Sequence, residues 1–232
     1  MQVNQTQKFR WLWRFTYLIK NVLLKVLGPR RTLKLMVRGH WLLRRLAFEV
    51  SGLHFGDHFQ NQALGLSEAL LSTLISSDHT VADLGCGTGR WSRASATKAR
   101  KVFGIDSDTE SLAIAESLGG DVHYLKLDLD SALSEMPEVD LSLLVHFLEH
   151  IQNPATLLDK LRQKSKRIVI EVPDFESDPL NYARVWMQEP FYFDGDHLRE
   201  FTLTELRDLL AVTNWSPVYT LQKGGTILIV AE

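Results

Sequence analysis

An α/β fold, in which helices cover both faces of a mostly parallel sheet, is predicted by three features of this 232-residue chain. Short apolar strand segments alternate with helical segments from residue 64 onward, an order typical of parallel sheets. A glycine-rich turn follows the first of these strands. Two final strand segments, separated by Lys223-Gly224-Gly225, predict an antiparallel hairpin at the end of the domain.

The individual elements follow from periodicity and from turn residues. Apolar, β-branched segments predict strands at 80–84, 101–105, 122–126, 139–145, 167–172, 218–222 and 226–230. Helical spacing of apolar residues predicts helices at 64–75, 90–99, 109–118, 154–161 and 204–212. Asn153 and Pro154 suit the cap and the first position of the fourth of these helices.

The first 50 residues differ from the rest of the chain in charge. They contain eleven Lys or Arg and one acidic residue, Glu49, whereas the other 182 residues hold 15 basic and 27 acidic side chains. The formal net charge of −2 therefore hides a cationic N-terminal segment. Such an asymmetry predicts that this segment meets an anionic partner.

Two amphipathic helices are predicted in this segment, at 9–27 and 31–50, with Gly28-Pro29 between them. Scattered charges and the lack of a small-residue cleavage site argue against a secretory signal. A spanning helix is also disfavoured, because no run of about 18 uncharged apolar residues exists. We assign 1–63 to a helical N-terminal extension and 64–232 to the α/β domain, with 51–63 as a polar connection.

Three interpretations of residues 1–50 stay open. Aromatic side chains beside Arg and Lys are typical of a helix that lies in the interface of an anionic membrane. Alternatively, the helices pack on their own domain or on a partner subunit, which would support an oligomer. Nucleic-acid binding is the least favoured, because the apolar content exceeds what a phosphate-binding arm needs.

The most informative motif is the segment that runs from Val81 through Gly89. It predicts a strand that ends in Asp83-Leu84 and a turn with glycine at alternate positions, which lets the backbone approach a ligand closely. The acid would repel a phosphate but suits a cationic amino group. Asp106 ends the next strand, 21 residues after Gly85, where a ribose-binding carboxylate is expected. The spacing is not the G-x-G-x-x-G pattern of NAD-binding units.

These residues resemble the class I S-adenosylmethionine-dependent methyltransferases. The resemblance covers about 80–232 and rests on the alternating glycines, Asp106 and Asp128. It implies a Rossmann-like, seven-stranded fold and S-adenosyl-L-methionine as cofactor. The residues that the resemblance assigns to the cofactor are Asp83, Gly85, Cys86, Gly87, Gly89, Asp106, Ser107, Asp128, Leu129 and His146.

Within that set the roles differ. The backbone of 85–89 would hold the methionine part, with Cys86 as a small packing residue. Asp106 would accept from both ribose hydroxyls, and Asp128 with Leu129 would bracket the adenine. Each acid has a structural alternative, because Asp106 and Asp128 could instead cap the helices that follow them.

Histidines and acids after the fourth strand form a second group. His146, Glu149 and His150 have the spacing i, i+3 and i+4, which would place them on one helical face. A similar position holds a metal in some ubiquinone-pathway O-methyltransferases. We interpret the three as cofactor-pocket and packing residues, and we interpret His54, Asp57 and His58 as loop or substrate-pocket residues, so no metal is predicted.

The candidate general base lies between the fifth strand and the last helix. Residues 191–202 resemble a His-x-x-x-Phe-Thr element found in bacterial methyltransferases of glycan and small-molecule pathways. We assign His197 as the base, with His146 and His150 as the next candidates. Glu171 and Asp174 are secondary candidates for contacts with the acceptor.

The sequence therefore predicts a methyltransferase that acts on a hydroxyl of a sugar, a glycan or another small molecule. The segment after the fourth strand lacks the Pro-Pro-aromatic motif of many nucleic-acid and protein amine methyltransferases, which makes an amine or nucleobase acceptor the weaker alternative. A single cysteine, Cys86, suits the reducing cytoplasm, with attachment to the inner face of the membrane as a further expectation. The competing class is a non-catalytic scaffold subunit with the same fold.

Overall fold

A computed structural model describes residues 10–56, 65–189 and 195–232. The strands are β1 (Thr80–Leu84), β2 (Lys101–Asp106), β3 (His123–Lys126), β4 (Val139–Val145), β5 (Ser165–Pro173), β6 (Pro217–Lys223) and β7 (Thr226–Ala231). The α-helices are α1 (Arg10–Phe55), α2 (Glu68–Leu74), α3 (Arg90–Ala96), α4 (Thr109–Ser117), α5 (Leu129–Ala132), α6 (Pro154–Leu161), α7 (Leu180–Met187) and α8 (Leu203–Val212).

All seven strands join one sheet in the order β3-β2-β1-β4-β5-β7-β6. The strands from β3 to β5 are parallel neighbours, and β7 is antiparallel to both β5 and β6. Gly224 and Gly225 both have positive φ, 63° and 101°, which the tight turn between β6 and β7 requires. The predicted fold and its terminal hairpin are confirmed.

Side chains of β1 supply two separate cores because successive residues of a strand point to opposite faces. Val81 packs with Leu141 and Val169 on one face of the sheet. Ala82 and Leu84 belong to the other cluster. Both faces of the sheet are thus buried, as a parallel sheet with helices on either side requires.

Several helix boundaries differ from the prediction. Helix α2 begins at Glu68, where Ser67 caps it by accepting a hydrogen bond from the Leu70 N–H. Asn153 occupies the N-cap position of α6, but its side chain makes no capping hydrogen bond. Helix α7 and the single turn α5 were not predicted.

The long helix α1 is two helices joined at Gly28, whose φ of 76° and ψ of 167° are not helical. The predicted break at Gly28-Pro29 is confirmed, since glycine tolerates this conformation and Pro29 removes a backbone donor. The second part continues to Phe55, so the first residues of the predicted polar connection are helical. Phe9, Asp57 and His58 lie outside the described residues.

The described residues fall into two compact units. One contains the described part of 1–50 together with 179–189, and the other contains the sheet. Within the first unit, Glu189 forms ion pairs with Lys34 and Arg38, which lower the pKa of its carboxyl group. The sequence did not separate 179–189 from the α/β domain, and the predicted division at residue 63 stays a prediction.

Candidate cofactor and active site

The glycine loop after β1 is held against the end of β2. The backbone N–H groups of Gly85 and Cys86 donate to the carbonyl of Ile105 at 2.8 and 3.0 Å. The next N–H along, that of Gly87, donates to Oδ2 of Asp106 at 2.8 Å. The loop is therefore tied to the strand that ends in the predicted ribose-binding acid.

All three loop glycines have positive φ, 69° at Gly85, 50° at Gly87 and 77° at Gly89. Their surroundings differ. A Cβ at Gly85 would lie 2.3 Å from Cδ2 of Phe147, and a Cβ at Gly89 would lie 2.3 Å from the Tyr124 hydroxyl. Open space surrounds Gly87, where an added Cβ would meet nothing within 4 Å. The loop thus leaves its middle backbone free for a ligand while its ends pack tightly.

Asp83 is buried behind the loop, with only 2% of its surface exposed. Its Oδ2 accepts a hydrogen bond of 2.6 Å from the Ser92 hydroxyl on α3. Burial raises the pKa of Asp83 to about 6, although the hydrogen bond from Ser92 opposes this rise. Asp83 thereby links β1 to α3, and its predicted contact with the cofactor stays a prediction.

A cleft of about 180 Å³ opens beside the loop. Its walls are formed by Gly85, Asp106, Ser107, Leu127, Asp128, Leu129, Asp130, Phe147, His150 and Ile151. These residues lie at or just after the carboxyl ends of β1, β2, β3 and β4. The order of the strands reverses between β1 and β4, which is where open α/β sheets bind their ligands.

The two predicted cofactor acids meet in this cleft but are held differently. Asp106 accepts from the Gly87 and Asp108 N–H groups, and α4 is capped by Asp108, so the alternative in which Asp106 caps that helix is wrong. Asp128 does cap α5 by accepting from the Asp130 N–H and the Ser131 hydroxyl. Both carboxylates still line the cleft.

His146, Glu149 and His150 do not share a helical face, because Leu148–His150 is a single 3₁₀ turn. His146 has a φ of 51° and lies outside the cleft lining. Its Nδ1 is 3.3 Å from Oε1 of the buried Glu149. Burial opposes protonation of His146, but the nearby carboxylates of Glu149 and Glu171 outweigh it and raise the histidine pKa.

A second histidine, distant in sequence, completes this group. The rings of His150 and His197 meet edge to face with centroids 4.8 Å apart. His150 forms part of the cleft wall, and its Nδ1 is 3.5 Å from Oδ2 of Asp196. Only 8% of His197 is exposed. The backbone N–H of Leu198 donates to the Glu149 carbonyl at 3.0 Å, which holds the two segments together.

Carboxylates surround the buried His197. Burial opposes its protonation, but Glu200, 3.6 Å from its Nδ1, and the negative charge of Glu149 raise the pKa of His197. Glu149, His150 and His197 each bring one ligand atom within 4.8 Å of the others, a spacing that a divalent ion also fits. The predicted absence of a metal stays a prediction.

The remaining candidate residues, Glu171 and Asp174, accept hydrogen bonds from within the domain. Both carboxylate oxygens of Glu171 accept backbone N–H bonds, from Gly65 at 2.9 Å and Leu66 at 2.7 Å. Asp174 accepts from the Gln222 side chain at 3.0 Å. Their predicted contacts with the acceptor stay predictions. Phe147 was missed, because only the folded chain brings its ring to Gly85.

Comparison with known proteins agrees with this geometry. A family model described as a methyltransferase domain matches residues 57–220. The ubiquinone biosynthesis O-methyltransferase of Nitrosomonas europaea is 32% identical over 87 residues, which are 35% of this chain and 37% of that protein. The same enzyme of Pseudomonas entomophila is 35% identical over 83 residues, or 34% and 36% of the two chains. The matches thus span little more than a third of these relatives.

Solved structures share the fold at low sequence identity. The magnesium protoporphyrin IX methyltransferase of Synechocystis PCC 6803, solved with bound SAH, aligns with a TM-score of 0.57 and 16% identity over 71% of this chain and 78% of its own. An S-adenosylmethionine-dependent methyltransferase of Mesorhizobium loti gives 0.56 and 16% over 72% and 98%. In the described residues, moreover, no helix is both long and apolar enough to cross a bilayer.

Proposed function

We propose, because the chain belongs to the methyltransferase-domain family, that it transfers a methyl group from S-adenosyl-L-methionine to a hydroxyl of a small molecule. The observation that carries this proposal is the cleft in which the glycine loop, Asp106 and Asp128 meet at the reversal of the strand order. S-adenosyl-L-methionine, when bound, supplies an activated methyl group on a sulfonium sulfur.

The residues of the cleft fit this cofactor. Open space at Gly87 admits the methionine part, and the half-buried Asp106 offers carboxylate oxygens to the ribose hydroxyls. Apolar Leu129 and Ile151 line the same cleft as Asp128, which would meet the adenine. His146, a predicted cofactor contact, keeps that role only as a proposal, because it lies outside the cleft lining.

The histidine pair provides the base that a hydroxyl acceptor needs. S-adenosyl-L-methionine would supply the methyl group to the acceptor oxygen and would leave as the neutral thioether, and an imidazole of the pair would take up the hydroxyl proton. We assign proton acceptance to His150, which lines the cleft, and positioning to His197 behind it. The sequence instead predicts His197 as the base. If that assignment holds, substitution of His197 should lower the rate more than substitution of His150.

The acceptor class is the finer part of the proposal. The relatives that match about a third of this chain are named as ubiquinone biosynthesis O-methyltransferases. Residues 191–202 resemble an element of glycan-pathway methyltransferases. We propose a sugar, glycan or other small-molecule hydroxyl that the protein meets in the cytoplasm, at the inner face of the membrane. An amine acceptor is the alternative in the same cleft.

Calorimetric titration with S-adenosyl-L-methionine tests the first step. We expect saturable binding to the wild-type protein. If the folded protein does not bind S-adenosyl-L-methionine, the assignment as an enzyme is contradicted and the non-catalytic scaffold alternative is favoured. Incubation with methyl-labelled cofactor and bacterial extracts, separated into lipid and water-soluble fractions, then identifies the acceptor pool. Label on an amine nitrogen, found by mass spectrometry, would contradict the hydroxyl assignment.

A further inference from the structure

The first part of α1, residues 10–27, is called here the interfacial helix. It ends where Gly28 leaves the helical conformation and Pro29 follows. At 100° per residue, Leu18, Trp11, Val22, Phe15, Val26, Ile19, Leu12 and Leu23 occupy one arc of about 140° without a polar residue between them. Asn21, Arg14 and Lys25 adjoin one edge of this arc within about 40° of one another.

The apolar arc faces solvent in the folded chain. Trp11 is 66% exposed and Val22 50%. Phe15, Leu18 and Val26 are also more than half exposed. Large aromatic and aliphatic side chains in a continuous exposed strip mark a binding surface, since scattered single exposures would be ordinary.

The charges on and around the helix select its partner. The chain up to residue 50 has eleven basic residues and only Glu49 as an acid. Lys20 lies over the ring of Tyr17, 4.8 Å from its centroid, on the side of the helix away from the apolar arc. A second copy of the helix would bring like charges together, whereas an anionic lipid surface would neutralise them.

We infer that the interfacial helix lies flat on anionic phospholipid, with the apolar arc among the acyl chains and Arg14 and Lys25 at the headgroups. No described helix can span the bilayer, so this contact would be peripheral. The inference rests on the membrane location included in the proposed function and deepens it. Lipid binding alone tests the inference, and neither cofactor nor acceptor is needed.

The test uses the full chain and sedimentation with two kinds of vesicle, phosphatidylcholine alone and an equal mixture of phosphatidylcholine and phosphatidylglycerol. The test variant combines Trp11→Ser and Val22→Ser in the apolar arc. The control combines Trp13→Ser and Leu24→Ser, a pair with the same spacing on the face that also carries Lys20. Trp13 is as exposed as Trp11, at 66%, and Leu24 is 37% exposed.

We expect the wild-type chain to bind the mixed vesicles and to bind phosphatidylcholine at least tenfold more weakly. The arc variant should lose about tenfold or more in affinity for mixed vesicles, and the control less than about threefold. Arg14→Gln with Lys25→Gln should lose about 25-fold on mixed vesicles, at about fivefold per charge, and little on phosphatidylcholine.

Equal binding by the arc variant and the control would overturn the inference. A wild-type dimer in light scattering that the arc substitutions dissociate, without vesicle binding, would overturn it in favour of a second copy. Circular dichroism confirms that each variant is folded. If the chain binds the cofactor normally but does not bind vesicles, only the membrane contact is contradicted. If it binds vesicles but not the cofactor, only the proposed methyl transfer is contradicted.

Discussion

The backbone N–H of Gly87 donates a hydrogen bond of 2.8 Å to Oδ2 of Asp106, which is 19 residues away in the chain. The second oxygen of this carboxylate accepts from the Asp108 N–H at 2.9 Å. One side chain therefore orients both the glycine loop and the turn after β2. The loop and the proposed ribose site form one unit, so substitution of Asp106 should alter both the loop conformation and the binding of the ribose.

Asp106→Ala should weaken binding of S-adenosyl-L-methionine by about 10- to 150-fold, because charged hydrogen bonds contribute roughly 1.5–3 kcal/mol. Isothermal titration calorimetry measures the change. Asp159→Ala, an exposed acid on α6, is the matched control and should bind normally. A dissociation constant for Asp106→Ala within twofold of the wild type would remove Asp106 from the cofactor site.

Gly85→Ala should destabilise the fold more than Gly87→Ala. Both positions have positive φ, which costs an alanine about 1–2 kcal/mol. Only at Gly85 would the new Cβ also meet Phe147, at 2.3 Å. Urea denaturation measures the free energies of unfolding, and the addition of Phe147→Ala should narrow the difference. Equal losses for the two glycine variants would show that the packing of Phe147 on the loop is wrong.

His150→Gln should lower kcat about 10²- to 10⁴-fold while cofactor affinity stays near normal, because the loss falls on proton transfer. His197→Gln should cost less and should keep the acidic limb of the pH–rate profile. In the wild type, the rate should fall at acidic pH, since an imidazolium cannot accept a proton. A larger loss for His197→Gln, with disappearance of the acidic limb, would instead make His197 the base.

Asp83 should make the protein less stable as pH rises from about 4 to about 6, and its effect should level off above that range. Its pKa is about 6 in the folded chain against an ordinary value of 3.8, so the folded state holds the proton over that range and the charged form is disfavoured. Asp83→Asn should therefore raise the free energy of unfolding at pH 7 by up to about 3 kcal/mol, and much less near pH 4.

Asp140→Asn is the control of opposite sign. Hydrogen bonding to Lys166 lowers the pKa of Asp140, so this charge stabilises the folded state above its unfolded pKa. The substitution should then lower stability at pH 7 and have less effect as the pH falls. Urea denaturation at several pH values measures both. A pH-independent difference between Asp83→Asn and the wild type would contradict the assignment.

Local chemistry accounts for the parts of the molecule that the sequence alone determined. The alternating strand and helix periods, the positive-φ glycines at 85, 87, 89, 224 and 225, and the break at Gly28-Pro29 each depend on neighbouring residues. Such features need no knowledge of distant contacts, since sterics restrict φ and ψ residue by residue. The fold class follows from them, whereas the family was indicated by resemblance and is shown by the match to the family model.

Tertiary structure decided which distant side chains meet. His150 and His197 are 47 positions apart in the sequence. The backbone hydrogen bond from the Leu198 N–H to the Glu149 carbonyl joins the two segments, and their rings meet. Phe147 reaches Gly85, and Glu189 reaches Lys34 and Arg38, only because separate segments pack. No local periodicity encodes these pairs: they arise when burial of apolar surface selects one arrangement of the elements.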